Sequence, residues 1–170
     1  MNFETERLYL RQLSLKDVND IYEYLSNPIV TRFLAFETHQ SPTDSFFFVE
    51  QMIDLYHAKG IKLWGIIYTE NQKLIGTISL SPWQKQPIAG IGFTLSPQYW
   101  NKGIMTEAAE RVVKYAFEEM GILRIQAECI SENIGSSKVL EKLGMRYEGE
   151  QKKQIKGKTW DVKMYSLLKN

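Results

Sequence analysis

Leu95-Ser-Pro-Gln-Tyr-Trp-Asn-Lys-Gly-Ile-Met-Thr-Glu-Ala108 ends one structural element and begins another within a few residues. An apolar strand closes at Leu95, and a polar loop carrying Lys102 and Gly103 follows. Beyond it Ile104, Ala108, Val112, Ala116 and Met120 form one helical stripe, flanked by Met105, Ala109, Val113 and Phe117. A helix start presents unpaired backbone N–H groups and the positive end of the helix dipole. A glycine beside it lets a ligand come close to the backbone. The unit suits an anion such as a pyrophosphate; the plain alternative is an ordinary strand-to-helix turn with a permissive glycine. Two nucleotide motifs are excluded. No Gly-Lys-Ser/Thr follows the loop, and Gly90-Ile-Gly92 lacks the third glycine and precedes a strand.

Upstream of this unit, alternating apolar residues predict strands over Leu63 to Thr69, Leu74 to Leu80 and Ile88 to Leu95. The turns fall at Glu70-Asn71-Gln72 and at Gln84 to Pro87, which makes an antiparallel meander. Leu8, Leu10 and Leu13 predict a first strand over residues 6–13. Ser14 with Asp17 reads as a capping box ahead of a helix bearing Leu15, Val18, Ile21, Tyr22 and Leu25, which Asn27-Pro28 ends. A second helix opens at Ser41-Pro42, carries Phe46, Phe47, Val49 and Ile53, and stops at Gly60.

Downstream of it, Gly121 ends the long helix and Arg124 to Ile130 is a strand. Asn133 opens a short helix with Val139, Leu140 and Leu143 that ends at Gly144. Strands near 146–155 and 159–168 meet at Lys156-Gly157-Lys158. The order β-α-α-β-β-β-α-β-α-β-β predicts an α/β domain of the α+β type, a mixed sheet with helices on its faces, as one domain over residues 1–170.

Composition narrows the function classes. Of 170 residues, 44% are hydrophobic, enough for a real core, and 21 basic residues against 20 acidic ones leave a net charge of +1. That balance argues against a dedicated nucleic-acid binder. Cys129 is the only cysteine and His39 and His57 the only histidines, so neither a disulfide nor a thiolate metal site is expected. Without an apolar leader or a long apolar run, the chain reads as cytoplasmic, with no membrane partner.

Tyr99-Trp-Asn-Lys-Gly-Ile-Met-Thr-Glu-Ala108 resembles the acetyl-coenzyme A loop of the GNAT superfamily of N-acetyltransferases. Asn133-Ile-Gly-Ser136, Val139-Leu-Glu-Lys-Leu-Gly-Met145 and Tyr147-Glu-Gly149 are similar to the downstream motif of its RimJ/RimL-like branch, whose members acetylate ribosomal-protein N-termini and other amines. Thr5-Glu-Arg-Leu-Tyr-Leu-Arg11 resembles that branch's first strand. The resemblance spans essentially the whole chain. It implies a GNAT fold with about six to seven strands, antiparallel at first, and about four helices. The implied reaction is direct transfer of acetyl from acetyl-coenzyme A to a primary amine in a ternary complex. A protein N-terminal α-amine, of ribosomal-protein type, is the favoured acceptor. A small-molecule amine (a polyamine, an aminoglycoside or an amino-acid-like amine) and a silent acyl-coenzyme A-binding module are the rivals. No metal is expected from so few cysteines and histidines, and the chain is expected as a monomer or a homodimer.

By the same resemblance, Phe93, Thr94 and Leu95 would meet the pantetheine through main-chain groups. Asn101, Lys102, Gly103, Ile104, Met105 and Thr106 would wrap the pyrophosphate with N–H groups. Asn133 would contact the pantetheine arm and Ser136 would protonate the leaving thiolate; on local chemistry alone, Asn133 is an N-cap and Ser136 a first-turn residue. The chain departs from the family pattern at Trp100, Met105, Leu140 (a tyrosine acid in several members) and Gly90 (often glutamate in the branch).

The last two departures leave the base open. Glu128 is the candidate, with a solvent-facing strand residue as its alternative. Glu107 is explained by the helix dipole, and His39 is either a loop residue in water or one that reaches a substrate. Cys129, with nothing basic beside it, reads as core. Phe33, Phe36, Phe46 to Phe48 and Trp83 fall where the family builds its acceptor pocket, although helically spaced aromatics usually pack as core. Five basic residues against two acids between Arg146 and Lys158 are read as a solvated strand pair or a bias toward acidic partners.

Overall fold

The computed structural model describes residues 1–58, 60–83 and 85–170; Lys59, at the end of the second expected helix, and Gln84, in the turn expected over 84–87, lie outside the described residues. A short hairpin opens the chain, β1 (Phe3–Glu4) against β2 (Leu8–Arg11). The strand expected over 6–13 is therefore shorter and has an extra partner. Asp17 explains the early exit: its carboxylate takes the Arg11 guanidinium at 2.7 and 2.9 Å and the Ser14 N–H at 2.8 Å, completing the capping box and turning the chain off the sheet. A 3-10 turn (Leu15–Asp17) then leads into α1 (Val18–Leu25).

Asn27-Pro28 ends α1 as expected but also begins a four-residue helix, α2 (Pro28–Thr31), because Asn27 caps it by accepting the Ile29 N–H at 3.0 Å. α3 (Pro42–Ala58) follows, then the meander β3 (Lys62–Tyr68), β4 (Lys73–Pro82) and β5 (Ile88–Leu95). After the 3-10 turn Pro97–Tyr99 come α4 (Ile104–Glu118), β6 (Arg124–Ile130), α5 (Ile134–Lys142), β7 (Arg146–Ile155) and β8 (Lys158–Leu168).

Among the described residues eight strands form one sheet in the order β1-β2-β3-β4-β5-β6-β8-β7, antiparallel throughout except for β5 beside β6. Two cores clamp it. Beneath α4 and α5 lie Ile91, Ile104, Ala108, Val112, Ile125 and Leu140, with Cys129 buried among them. Beneath α1 to α3 lie Ile21, Tyr24, Leu25, Val49, Ile67 and Leu74. An apolar set on each face is what the near-continuous hydrophobic runs of β3 and β4 encode.

Two features of β4 and β5 shape the middle of the sheet. Ile66 pairs with Gly76 but Ile67 with Leu74, so Ile75 is an extra residue and the strand bulges there. The bulge turns Thr77 and Ser79 toward the α1–α3 side. Along β5, Ala89, Ile91 and Leu95 enter the α4/α5 core, while Gly90, Gly92 and Thr94 alternate onto the other face. No helix long and apolar enough to cross a membrane occurs among the described residues.

Candidate active site

β5 and β6 pair over only three positions, Ile88 with Arg124, Ala89 with Ile125 and Gly90 with Gln126. Beyond these the strands part, and β6 continues on β8 alone. The carboxyl half of β5 therefore has one paired edge, against β4, and one open edge facing a wedge. A Cβ placed on Gly76 would meet the Thr94 carbonyl oxygen at 2.4 Å, so that carbonyl points at β4 and only glycine tolerates the approach. Main-chain groups alternate from edge to edge along an antiparallel strand, so the N–H and C=O of Phe93 and Leu95 point into the wedge. Trp100 Nε1 donates to the Leu95 carbonyl at 2.8 Å. This leaves Phe93 with both groups available. Thr94 meets the site through its side chain, not through the main-chain bonds expected of it.

The N-terminus of α4 faces the same strand end. Asn101 (φ +59°) and Gly103 (φ +74°) both adopt left-handed backbone, which folds the loop back on itself before the helix begins. Among the described residues no protein group accepts the N–H groups of Asn101 through Thr106. The side chains of Ile104 and Met105 are buried in the core, so at these two positions the helix start offers its main chain alone. A run of free N–H groups, glycine beside them and the positive helix end fit an anionic diphosphate.

Glu107 holds this loop in place. Its carboxylate accepts from the Thr5 hydroxyl (2.5 Å), the Arg7 N–H (2.9 Å) and Arg7 Nε (2.7 Å), while Arg7 Nη1 donates to the Lys102 carbonyl at 3.0 Å. Burial raises the Glu107 pKa, but these donors outweigh it and keep the acid below its usual range. Glu107 therefore does more than answer the helix dipole, which is its explanation from sequence alone. Its role as a clamp depends on residues 100 positions away, so nothing local in the sequence signals it.

Asn133 caps α5, its side-chain oxygen accepting the Ser136 N–H at 3.2 Å. Both residues are half-buried, and the Ser136 hydroxyl has no partner among the described residues. Next to them Ser137 and Cys129 meet at 3.4 Å, and burial pushes the Cys129 thiol up. That fits a core cysteine, not a thiolate nucleophile. Leu140 is buried beneath α5.

On the α1–α3 face a cavity of about 980 Å³ opens over β4 and β5. Thr77, Ser79, Gly92, Phe93 and Thr94 form its floor, and the segment 34–40 and α3 form its walls. Under the floor, Thr77 and Thr94 share a hydrogen bond of 2.9 Å. Tyr24 lies against them with its hydroxyl sealed and unbonded, its pKa pushed up to about 12 by burial. Of the aromatics expected to pack as core, Phe36 and Phe48 do so while lining the cavity wall, whereas Phe47 stands exposed at its rim. Phe33 packs on Trp160, and Phe46 and Trp83 are exposed outside the cavity.

His39 is buried in the cavity wall, not free in the loop. Glu128 shares the sheet face of the cavity, as does its neighbour Gln126, but is half-exposed, does not line it and pairs with Lys153. The basic segment is also largely engaged. Lys152 pairs with Asp161, and Lys156 Nζ donates to the Thr31 carbonyl at 2.9 Å, tying the β7–β8 turn to the chain that enters the cavity wall. Among the described residues no cluster of three metal-ligating side chains occurs.

Comparison with known proteins agrees with this geometry. Residues 7–146 match the model of the acetyltransferase (GNAT) domain. The chain is 33% identical to the uncharacterized N-acetyltransferase YoaA of Bacillus subtilis over 169 residues, 98% of this chain and 96% of the relative. The crystal structure of a GNAT-family acetyltransferase from Bacillus anthracis superposes with a TM-score of 0.88 at 32% identity, covering 99% of this chain and 98% of that one. The ribosomal-protein-S5-alanine acetyltransferase of Vibrio fischeri superposes with a TM-score of 0.81 at 26% identity, over 99% and 96%. With a wedge at one edge of β5 and a cavity over its face, the chain belongs to the GNAT acetyltransferases and is an acetyl-coenzyme A-dependent N-acetyltransferase.

Proposed function

We propose that the protein acetylates the α-amine of a polypeptide N-terminus, which enters through the cavity on the α1–α3 face while acetyl-coenzyme A lies in the β5/β6 wedge. The observation that carries this reading is Phe93. Its main-chain groups border the wedge and it also lines the cavity, so a thioester held along β5 lies at the cavity floor. The free N–H groups of Asn101 to Thr106 hold the diphosphate, and Phe93 with Asn133 holds the pantetheine arm. Leu95 contributes its N–H, since Trp100 takes its carbonyl.

Chemically the reaction needs a neutral amine, donors for the tetrahedral oxyanion and a proton for the departing thiolate. An α-amine of pKa about 7.7–8.0 loses its proton far more readily than a lysine-type amine near 10.4. The Ser136 hydroxyl, free of protein partners, is the donor to the thiolate. Glu128, tied to Lys153, remains a relay candidate only through water. The similarity to an acetyltransferase of ribosomal protein S5 alanine supports the N-terminal acceptor.

A small-molecule amine is the second reading, and the acidic walls of the cavity favour it. Glu37, Glu50 and Asp54 line it with no lysine or arginine among the described lining residues, which suits a compact polycation. Thiol release with alanyl and seryl N-terminal peptides, measured against release with spermidine and an aminoglycoside, decides between them. The proposal expects kcat/KM highest on the peptides; a preference of about tenfold or more for the polycations would replace it.

A further inference from the structure

His39 stands apart from every other polar group of the acceptor cavity. It is 8% exposed, and its Nδ1 lies 2.8 Å from the hydroxyl oxygen of Ser45, which is fully buried on α3. Phe36 and Phe48 pack against the imidazole with ring centroids 5.8 and 5.6 Å away. With Nδ1 held by Ser45, Nε2 is the nitrogen left over. It has no hydrogen-bond partner among the described residues, yet it is not among the sealed polar atoms of the protein. His39 also lines the cavity, so Nε2 is the atom it presents there.

We propose that His39 is the catalytic base: its Nε2 takes the proton of the incoming ammonium at the cavity wall, with Ser45 fixing the ring as a positioning residue. This rests on the acetyl-transfer reading of the same site. Nε2 bonds one proton of R–NH3⁺, leaving R–NH2 and an imidazolium. The amine lone pair forms the C–N bond at the acetyl carbon and the C–S bond breaks with its electrons on sulfur. The Ser136 hydroxyl protonates that thiolate and regains its proton from the new amide nitrogen, and the imidazolium returns its proton to water. The sum is R–NH3⁺ plus acetyl thioester giving acetamide, free thiol and H⁺.

The surroundings suit the task. Burial pulls the His39 pKa below 6.5, opposed by Asp44, so the ring is neutral near pH 7 and able to accept a proton. Asp44 itself is committed to the Gln40 and Ser41 N–H groups at 2.7 and 2.9 Å. The other carboxylates facing the cavity are Glu37 on the same segment and Glu50 and Asp54 on α3, all exposed. The β4 and β5 floor offers only Thr77, Ser79, Gly92, Phe93 and Thr94, none of them charged.

The test follows thiol release from acetyl-coenzyme A with an alanyl tripeptide and with spermidine, across pH, for the wild type, His39→Gln and Ser45→Ala. In the wild type, kcat falls at low pH with a midpoint below 6.5. In His39→Gln, kcat drops about 100-fold or more, KM for acetyl-coenzyme A stays unchanged, and the low-pH limb moves up to the amine's own titration. Ser45→Ala loses about tenfold with the limb displaced. Retention of kcat within about threefold in His39→Gln, or an unmoved limb, overturns the proposal.

A variant that no longer binds coenzyme A has lost its fold, and the wild type then decides. With only two histidines in the chain, imidazole ¹⁵N signals resolve His39 from His57. The His39 signals must titrate below pH 6.5 and shift when the tripeptide or spermidine is added with coenzyme A. Signals that respond to neither amine overturn the proposal. Wild-type enzyme that binds acetyl-coenzyme A but releases thiol with no amine counts instead against the proposed function.

Discussion

At residue scale, the structure assigns weight to side chains whose chemistry looks ordinary in isolation. Gly76 is one: the Thr94 carbonyl sits where its Cβ would be, at 2.4 Å. Gly76→Ala forces β4 and β5 apart at the bulge, and urea titration is expected to show a loss of about 1–3 kcal/mol, the usual cost of overpacking. Gly92, on the opposite, cavity-lining face, has only the Ser79 hydroxyl oxygen at 3.4 Å from its Cβ position, so Gly92→Ala is expected to stay within about 1 kcal/mol. Glu107 gives a pH prediction. Its folded pKa lies below the unfolded value, as does that of Asp17, which Arg11 holds down against burial. Their stabilisation is complete above the ordinary carboxylate range and is lost as pH falls through the depressed values. Unfolding midpoints measured from pH 6 to pH 3 should therefore fall with acid, and Glu107→Gln should flatten part of that slope while weakening coenzyme A binding.

Among the elements, α4 starts beyond the carboxyl end of β5 and α5 beyond that of β6, and each start depends on one residue. Replacing Gly103 by alanine places a Cβ in left-handed backbone, which costs about 1–2 kcal/mol. Loss of coenzyme A affinity is expected to accompany the loss of stability. Asn133→Ala removes the cap of α5 and is expected to cost about 1 kcal/mol in denaturant unfolding. Asn133→Asp keeps the cap, so any loss of coenzyme A affinity it shows comes from the lost amide and the added negative charge and not from the helix start.

The elements also show what the sequence could and could not reveal. Periodicity located β3 to β6 and α3 to α5 because each buries a continuous apolar set against one of two cores. It misses the Phe3–Glu4 strand, two residues long, and α2, whose four residues begin with the proline read as a stop. The loop ahead of α4 is legible in the sequence because its glycine and its free N–H groups lie in contiguous main chain from Asn101 to Thr106. The cavity is not, since segment 34–40, α3, β4 and β5 meet only in the folded sheet. His39 looked like a loop histidine because Ser45, Phe36 and Phe48 carry no signal that they enclose it. Thr94 was grouped with its neighbours because main-chain direction depends on register, which Gly76 fixes from another strand.

On the scale of the whole molecule, the divergence of β5 from β6 after Gly90 leaves a wedge at one edge of β5 and the cavity over its face, and Phe93 borders both; the proposed function puts acetyl-coenzyme A in the first and the amine in the second. Saturating coenzyme A should stabilise the fold by mass action, about 2.7 kcal/mol at a hundred times Kd. The measurement that tests this arrangement most directly is calorimetric titration of acetyl-coenzyme A into the protein, followed by thiol release in the same samples with and without an amine. We predict stoichiometric binding, strongly weakened in Gly103→Ala, with thiol released only when amine is present. Thiol released at the same rate without amine, or no binding of acetyl-coenzyme A at all, would contradict direct transfer across β5.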